Sequence, residues 1–236
     1  MDSQTRGNLR QTTYHAVKML IVTGQLPPGS RVTEADLTQR LKVSRTPIRE
    51  ALSRLETDGF VQPRSKNGYS VMRIDTATVN EAFDVRDLLE SEATRLATRC
   101  IDDAGRAELH MILDECDALA ALENRTMRDA LREMQIGIDL HRIIARLSGN
   151  RLLYNLLDGV LDRCQAYVWL DVSRLDSFPA ARKEHREIVT ALCAGDEESA
   201  VAFTRSHIAA ARRNILGVLE MRKGVEELVS GSPAVS

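Results

Sequence analysis

Between Pro28 and Val71 the apolar pattern changes period within one short stretch, and that change limits the chain to very few local folds. Leu37 and Leu41 repeat at i, i+4, the spacing of one face of a short helix. Thr33 stands where an N-cap belongs, with Asp36 three residues on. Lys42-Val43 leaves room only for a tight turn. Ser44 then caps a second helix that opens Arg45-Thr46-Pro47, where proline is tolerated because the first helical N–H groups have no intrahelical partner. Ile48, Leu52 and Leu55 form the buried stripe of this helix. Arg45, Thr46 and Arg49 fall on the opposite side, and Gly59 supplies the stop. Behind it, Phe60-Val61-Gln62 and Tyr69-Ser70-Val71 alternate with period two around the basic loop Arg64-Ser65-Lys66-Asn67-Gly68, a hairpin signal. Two helices joined by a tight turn, with arginines at the exposed start of the second and a basic hairpin behind, form a winged helix-turn-helix. Such a helix offers DNA bidentate Arg contacts to guanine and hydroxyl or N–H contacts to phosphate. An isolated basic hairpin would read as an ordinary solvated turn; beside this helix pair it reads as a wing.

The order of elements resembles the GntR family of bacterial transcription regulators. The residues that carry the resemblance are Gly24-Gln25-Leu26-Pro27-Pro28-Gly29, Thr33-Glu34-Ala35-Asp36-Leu37 and, above all, Val43-Ser44-Arg45-Thr46-Pro47-Ile48-Arg49-Glu50-Ala51-Leu52, with Leu55-Glu56 and Asp58-Gly59-Phe60 behind. The resemblance implies base or phosphate contacts from Ser44, Arg45, Thr46 and Arg49, from Arg31 or Glu34 at the preceding helix start, and from Asn67 and Gly68 in the wing. Ala35 departs from the pattern, since some relatives carry a base-reading arginine there.

Charge divides the chain in the same place. Residues 1–74 hold 12 Lys/Arg against 6 Asp/Glu, whereas residues 75–236 hold 20 against 28, so the overall −2 conceals a basic head on an acidic body. With 236 residues and 43% hydrophobic content the chain can bury two cores. It has no run of about 18 apolar residues and no apolar leader, so a soluble, cytoplasmic protein with no membrane contact is expected. Cys100, Cys116, Cys164 and Cys193 show no C-x-x-C pairing and read as buried reduced thiols.

Beyond Val71 the period is helical throughout. Residues 75–78 read as a linker, with Thr78 and Glu81 forming a capping box. Helices are expected over 79–101, 104–122, 125–148, 150–173, 179–194 and 197–223, an all-α antiparallel bundle filling 79–229, with residues 230–236 as a disordered tail. Three of the five histidines lie on apolar stripes: His141 with Leu140, Ile144 and Leu147, His185 with Ile188, Val189 and Leu192, and His207 with Phe203, Ala210 and Ala211. One such histidine is ordinarily a hydrogen-bonded core residue; three on three helices suggest a shared metal or anion. His15 and His110 read as surface residues.

This half resembles the FCD effector domain of the FadR-type subgroup, in Val85-Arg86-Asp87-Leu88-Leu89-Glu90, in Leu140-His141 leading to Ser148-Gly149-Asn150, in Glu184-His185 leading to Gly195-Asp196, and in His207. The resemblance implies a divalent transition metal such as Zn²⁺ held by an aspartate and three histidines, with a small carboxylate effector beside it. The aspartate is expected four residues before the first histidine, where this chain has Gly137; Asp139 lies about 200° round the helix from His141 and points elsewhere. Two readings stay open: His141, His185 and His207 hold a metal with open positions, or they bind an organic anion directly. Arg86 is the first candidate to clamp an effector carboxylate, against an i, i+4 salt bridge with Glu90; Arg163 and Asn214 are further pocket candidates. The expected protein is a homodimeric regulator, acting as a repressor, on a palindromic operator. The rivals are a zinc enzyme, which lacks a readable general base and leaves the basic head unexplained, and a constitutive DNA binder whose bundle only dimerises.

Overall fold

A computed structural model describes residues 3–22, 24–64, 68–168 and 178–230, and divides the chain into two compact units, 1–74 and 75–236. The first contains α1 (Ser3–Val22), β1 (Arg31–Val32), α2 (Glu34–Leu41), α3 (Arg45–Thr57), β2 (Val61–Pro63) and β3 (Tyr69–Val71). Thr33 caps α2 through its hydroxyl, which accepts from the Asp36 N–H, and Lys42 closes the helix in the left-handed region at φ 54°. That conformation, unusual for a side-chain-bearing residue, turns the chain into α3 within two residues. Gly59, at φ 77°, reverses the chain after α3, and the Phe60 N–H returns to the Leu55 carbonyl. The three strands form an antiparallel sheet in the order β1-β3-β2.

Two elements of this unit carry no strong sequence signal. β1 is only two residues long, and α1 mixes polar and apolar residues on most faces, yet Tyr14 and Val17 are buried where α1 packs against α3. Tyr14 reaches across to donate its hydroxyl to Asp58 at 2.5 Å, satisfying a carboxylate buried at the end of α3. Lys18 is buried with its ammonium over the Tyr14 and Phe60 rings, 5.5 and 4.9 Å from their centroids.

The second unit is an all-α bundle of α4 (Thr76–Cys100), α5 (Asp103–Ala120), α6 (Met127–Leu147), α7 (Arg151–Val168), α8 (Phe178–Ala194) and α9 (Glu197–Ser230). Helix α4 begins earlier than its sequence suggests. Asp75 is the N-cap, accepting from the Thr78 N–H, so the stretch read as a linker is largely the first helical turn, and Thr78 is inside it rather than at its cap. An aspartate fills the N-cap as well as a threonine does, and Thr76-Ala77 are compatible with a first turn. Helix α4 packs against α6, α7 and α9. Its Ala97 joins a core cluster with Leu109, Leu140, Ile188 and Leu192, and its Ala93 joins another with Ile138, Leu157 and Leu161. Small residues at these two positions let the other helices approach closely. The cysteine expectation holds for Cys116 and Cys164, which are buried, and fails for Cys100, which is exposed at the end of α4; Cys193 is half-buried and all four are free. The tail expected beyond residue 230 lies outside the described residues.

Removing the Tyr14 hydroxyl by Tyr14→Phe leaves the buried Asp58 carboxylate short of a donor, and is expected to destabilise the first unit by about 1–3 kcal/mol. Hydrogen exchange of the α1 and α3 amides in the full-length protein measures this; unchanged protection would show that the bond contributes nothing.

Candidate functional site

The exposed start of α3 collects the residues expected to meet DNA. Ser44 is the N-cap, but its hydroxyl makes no capping bond, and Arg45, Thr46 and Arg49 are exposed while Pro47 and Ile48 are buried beneath them. Arg49 is held at its base by Glu34, the first residue of α2, with Nε donating to Oε1 at 3.0 Å and Nη2 to Oε2 at 3.2 Å. This hydrogen bond lowers the Glu34 pKa and raises that of Arg49, so both remain charged. Glu34 therefore orients an exposed arginine of α3 across the helix pair. Arg31 lies in β1, exposed, with its backbone paired to Ser70. In the wing, Gly68 adopts φ 102°, and a Cβ there would meet the Val32 carbonyl oxygen at 2.8 Å, so the hairpin needs glycine for both conformation and space. Asn67 lies outside the described residues.

Inside the bundle, α6, α8 and α9 bring His141, His185 and His207 together. Each is almost fully buried, and one nitrogen from each lies within 4.8 Å of the others. The outer nitrogens of two of them are pinned. His141 Nδ1 donates to Glu90 Oε2 at 2.6 Å, and His207 Nδ1 pairs with Glu184 Oε2 at 2.7 Å. A neutral imidazole that gives its Nδ1 proton to a carboxylate keeps a bare lone pair on Nε2. The Nε2 atoms of His141 and His207 face each other at 3.2 Å, and the buried Nε2 of His185 has no partner. Two ring nitrogens at this distance share a proton or turn their lone pairs toward a cation. Burial and the neighbouring rings hold His185 well below the usual histidine range, and burial with His141 does the same for His207, so these two rings favour their neutral form. A metal ion suits the set: two nitrogens about 2.1 Å from a tetrahedral ion sit roughly 3.4 Å apart. Carboxylates on the remote ring nitrogens are the usual outer partners of ligating histidines.

Arg86 does not present a free guanidinium to a ligand. It is 1% exposed and bonded to Glu90, Nε to Oε1 at 2.5 Å, so the i, i+4 salt bridge prevails, although its side chain also lines the cavity beside the histidines. Burial alone would raise the Glu90 pKa, but Arg86 and His141 outweigh it and hold the carboxyl well below its usual range. Arg163 is a correction. It is exposed on α7 and outside the cavity, because Leu161, Cys164 and Gln165 take the inward face of that helix. Asn214 stands at the rim of the cavity, and Phe203, expected on the inward stripe of His207, is exposed. Asp139 points away as expected, toward Gln135 and Arg142. Sequence reasoning missed Glu184 as a partner of His207 and gave Glu90 only the role of partner to Arg86.

Gly137, where the resemblance implies an aspartate, lies against a histidine ring. A Cβ there would meet His185 Cε1 at 3.0 Å, so the space opened by the missing side chain is filled by the His185 ring. The cavity beside these residues has a volume of about 120 Å³. Its walls are the stripe Met134, Gly137, Ile138 and His141 of α6, the Phe178 to His185 face of α8, and His207 to Ile215 of α9.

Residues 9–71 match the bacterial regulatory proteins of the gntR family, and residues 81–210 match the FCD domain. The Nta operon transcriptional regulator of Aminobacter aminovorans is 28% identical over 87% of this chain and 92% of its own. The HTH-type transcriptional regulator YdhC of Bacillus subtilis is 30% identical over 89% of this chain and 92% of its own. A GntR transcriptional regulator from Rhodococcus sp. RHA1 has a similar structure, with TM-score 0.67 and 24% identity over 88% of this chain and 97% of that one.

Replacing Glu90 by Ala strands Arg86 in the bundle without its counter-charge, and is expected to cost about 3–5 kcal/mol in stability. Thermal unfolding of chelator-treated protein measures it; a melting point equal to the parent's would show that the pair is not buried as described.

Proposed function

The chain belongs to the gntR family of bacterial regulatory proteins and carries the FCD domain, so it is a DNA-binding transcription regulator and not an enzyme; on that premise we propose a homodimeric repressor governed by a small carboxylate effector that binds beside a metal ion in the helical unit. The observation that carries the metal and effector reading is the convergence of three buried imidazoles beside a cavity, with the His185 Nε2 left without a partner. His141, His185 and His207 would hold a divalent ion such as Zn²⁺ through their ring nitrogens, with Glu90 and Glu184 fixing two of the rings. Such an ion, when bound, supplies a Lewis acid to which an effector carboxylate oxygen can add. The neutral form of a histidine is the ligating one, and the lowered basicity of His185 and His207 keeps it available at neutral pH. Asn214 at the rim is the effector contact that survives from the sequence reading; Arg86 contributes by fixing Glu90.

Ser44, Arg45, Thr46 and Arg49 read the operator, with Arg31, Asn67 and Gly68 as further contacts to base or phosphate. Glu34 acts through Arg49. The exposed apolar side chains Val85 and Leu88 on α4, and Leu152 and Leu156 on α7, lie on two helices packed together, and support a second copy of the chain covering these helices. Two heads related by a two-fold axis would read a palindrome. Repression requires only that a bound dimer exclude polymerase from the site. No helix among the described residues is long and apolar enough to cross a membrane.

Purified without chelator, the protein is expected to contain about one transition-metal ion per chain, lost in His185→Ala together with thermal stability. Elemental analysis showing no metal in protein prepared this way, and none taken up on titration, would defeat the metal reading. For DNA, Arg45→Ala is expected to weaken operator binding roughly 5- to 150-fold at fixed salt without loss of fold. Parent affinity that does not fall as salt rises would remove the head from the phosphate backbone. Leu152→Glu combined with Leu156→Glu is expected to yield a monomer by light scattering; an intact dimer would place the interface elsewhere.

A further inference from the structure

The cavity has a second polar pole that the metal reading does not use. Glu133, 3% exposed, lies on the same face of α6 as His141, two turns earlier, with Gly137 between them. Two arginines converge on its carboxylate. Arg182 of α8 donates Nη1 to Oε1 at 2.6 Å, and Arg125, just before α6, bonds the other oxygen through Nη2. Arg125 also lies over the Phe178 ring, 5.4 Å from its centroid, and its buried Nε has no partner. Two guanidiniums sharing one carboxylate leave a positive surplus on a partly desolvated wall, and Arg182 lines the cavity itself. Between this pole and the histidines the lining is Met134, Gly137 and Ile138, which offers no hydrogen bond from a side chain.

A cavity with polar ends and an apolar waist selects a ligand of the same pattern. We infer that the effector is an α,ω-dicarboxylic acid, with one carboxylate at the histidine centre and the other at the Arg182–Glu133–Arg125 pole. This rests on the effector reading above and goes further by assigning a second anion subsite. Length follows from the helices. The poles are one turn apart on α8, from Arg182 to His185, and two turns apart on α6, from Glu133 to His141, or about 5 and 12 Å along the axes, which suits a chain of roughly four to six carbons once the side chains have taken their share. Arg182 is a specificity residue here, because the waist and the histidine end would accept a monocarboxylate equally well.

The test is calorimetric titration of the metal-loaded, full-length protein with succinate, glutarate and adipate, and in parallel with butyrate, valerate and caproate. The best diacid is expected to bind at least tenfold more tightly than the monoacid of equal length. Arg182→Gln should erase that difference by weakening the diacid, whereas Arg182→Lys, which keeps the charge, should retain part of it. Melting curves of both variants identify any loss of fold, and Arg182→Lys carries the test if Arg182→Gln does not fold. Monoacids that bind as well as diacids would overturn the second subsite while leaving the effector reading intact. Failure of both series to bind protein shown to contain metal would overturn the effector reading itself. A diacid preference that survives in Arg182→Gln would also overturn the proposal, since the selectivity would then arise elsewhere.

Discussion

The bundle is organised around a carboxylate that should not be stable where it is. Glu90 is 3% exposed and Arg86 1%, and taking such ions out of water costs several kcal/mol each unless geometry and hydrogen bonds compensate. Here both oxygens are used: Oε1 accepts from Arg86 and Oε2 from His141. The consequence reaches beyond stability. With its Nδ1 committed to Glu90, His141 turns its Nε2 toward His207, whose own Nδ1 is committed to Glu184. Two carboxylates thereby fix two tautomers, and the tautomers turn a cluster of aromatic rings into a set of ligand atoms. A hydrophobic pair in place of Arg86 and Glu90 would pack as well and would leave the imidazoles free to bond one another.

The head applies the same device on the surface. Glu34 grips Arg49 from the neighbouring helix, which restricts a long exposed side chain, and on the proposed role of Arg49 lowers the entropy lost on docking to DNA. Ser44, by contrast, leaves its hydroxyl uncommitted at a helix N-terminus, where unpaired N–H groups and the helix dipole already favour an anion. The left-handed Lys42 fixes where that N-terminus points, since it sets the turn between the two helices.

Much of this was legible in the sequence, and the gaps have physical causes. Period and capping gave the helix-turn-helix, the hairpin at β2 and β3, and the succession of six bundle helices, because each depends on local spacing. The first helix, α1, was missed because its buried residues, Tyr14 and Val17, interrupt a mostly polar run, and its role depends on Asp58, 44 residues away. The start of α4 was misplaced because Asp75 and Thr78 are both competent caps. Three histidines on three apolar stripes were enough to suggest convergence. Their carboxylate partners were harder: Glu90 reads from sequence as the i+4 partner of Arg86, and nothing local reveals that its second oxygen faces another helix. Arg163 was misjudged by about one residue of helical phase, which on α7 separates the interior from solvent. The Glu133 pole was invisible because its two arginines come from different segments.

Gly137 draws these strands together. An acidic ligand at that position would add a negative charge to the centre and would also need the volume that the His185 ring now fills, 3.0 Å from where a Cβ would lie. The glycine and the inward position of His185 are thus one structural choice, in which a ring takes the space of an acidic side chain. On the proposed metal reading, three imidazole ligands would leave the charge of a divalent ion uncompensated. Among the nearby carboxylates, Glu90 is already balanced by Arg86, so Glu184 is the one that remains to offset the ion. A centre short of negative charge, opening on a cavity, favours an anionic visitor more strongly than one that carries its own aspartate. On the proposed reading, the missing aspartate biases the pocket toward an anionic effector.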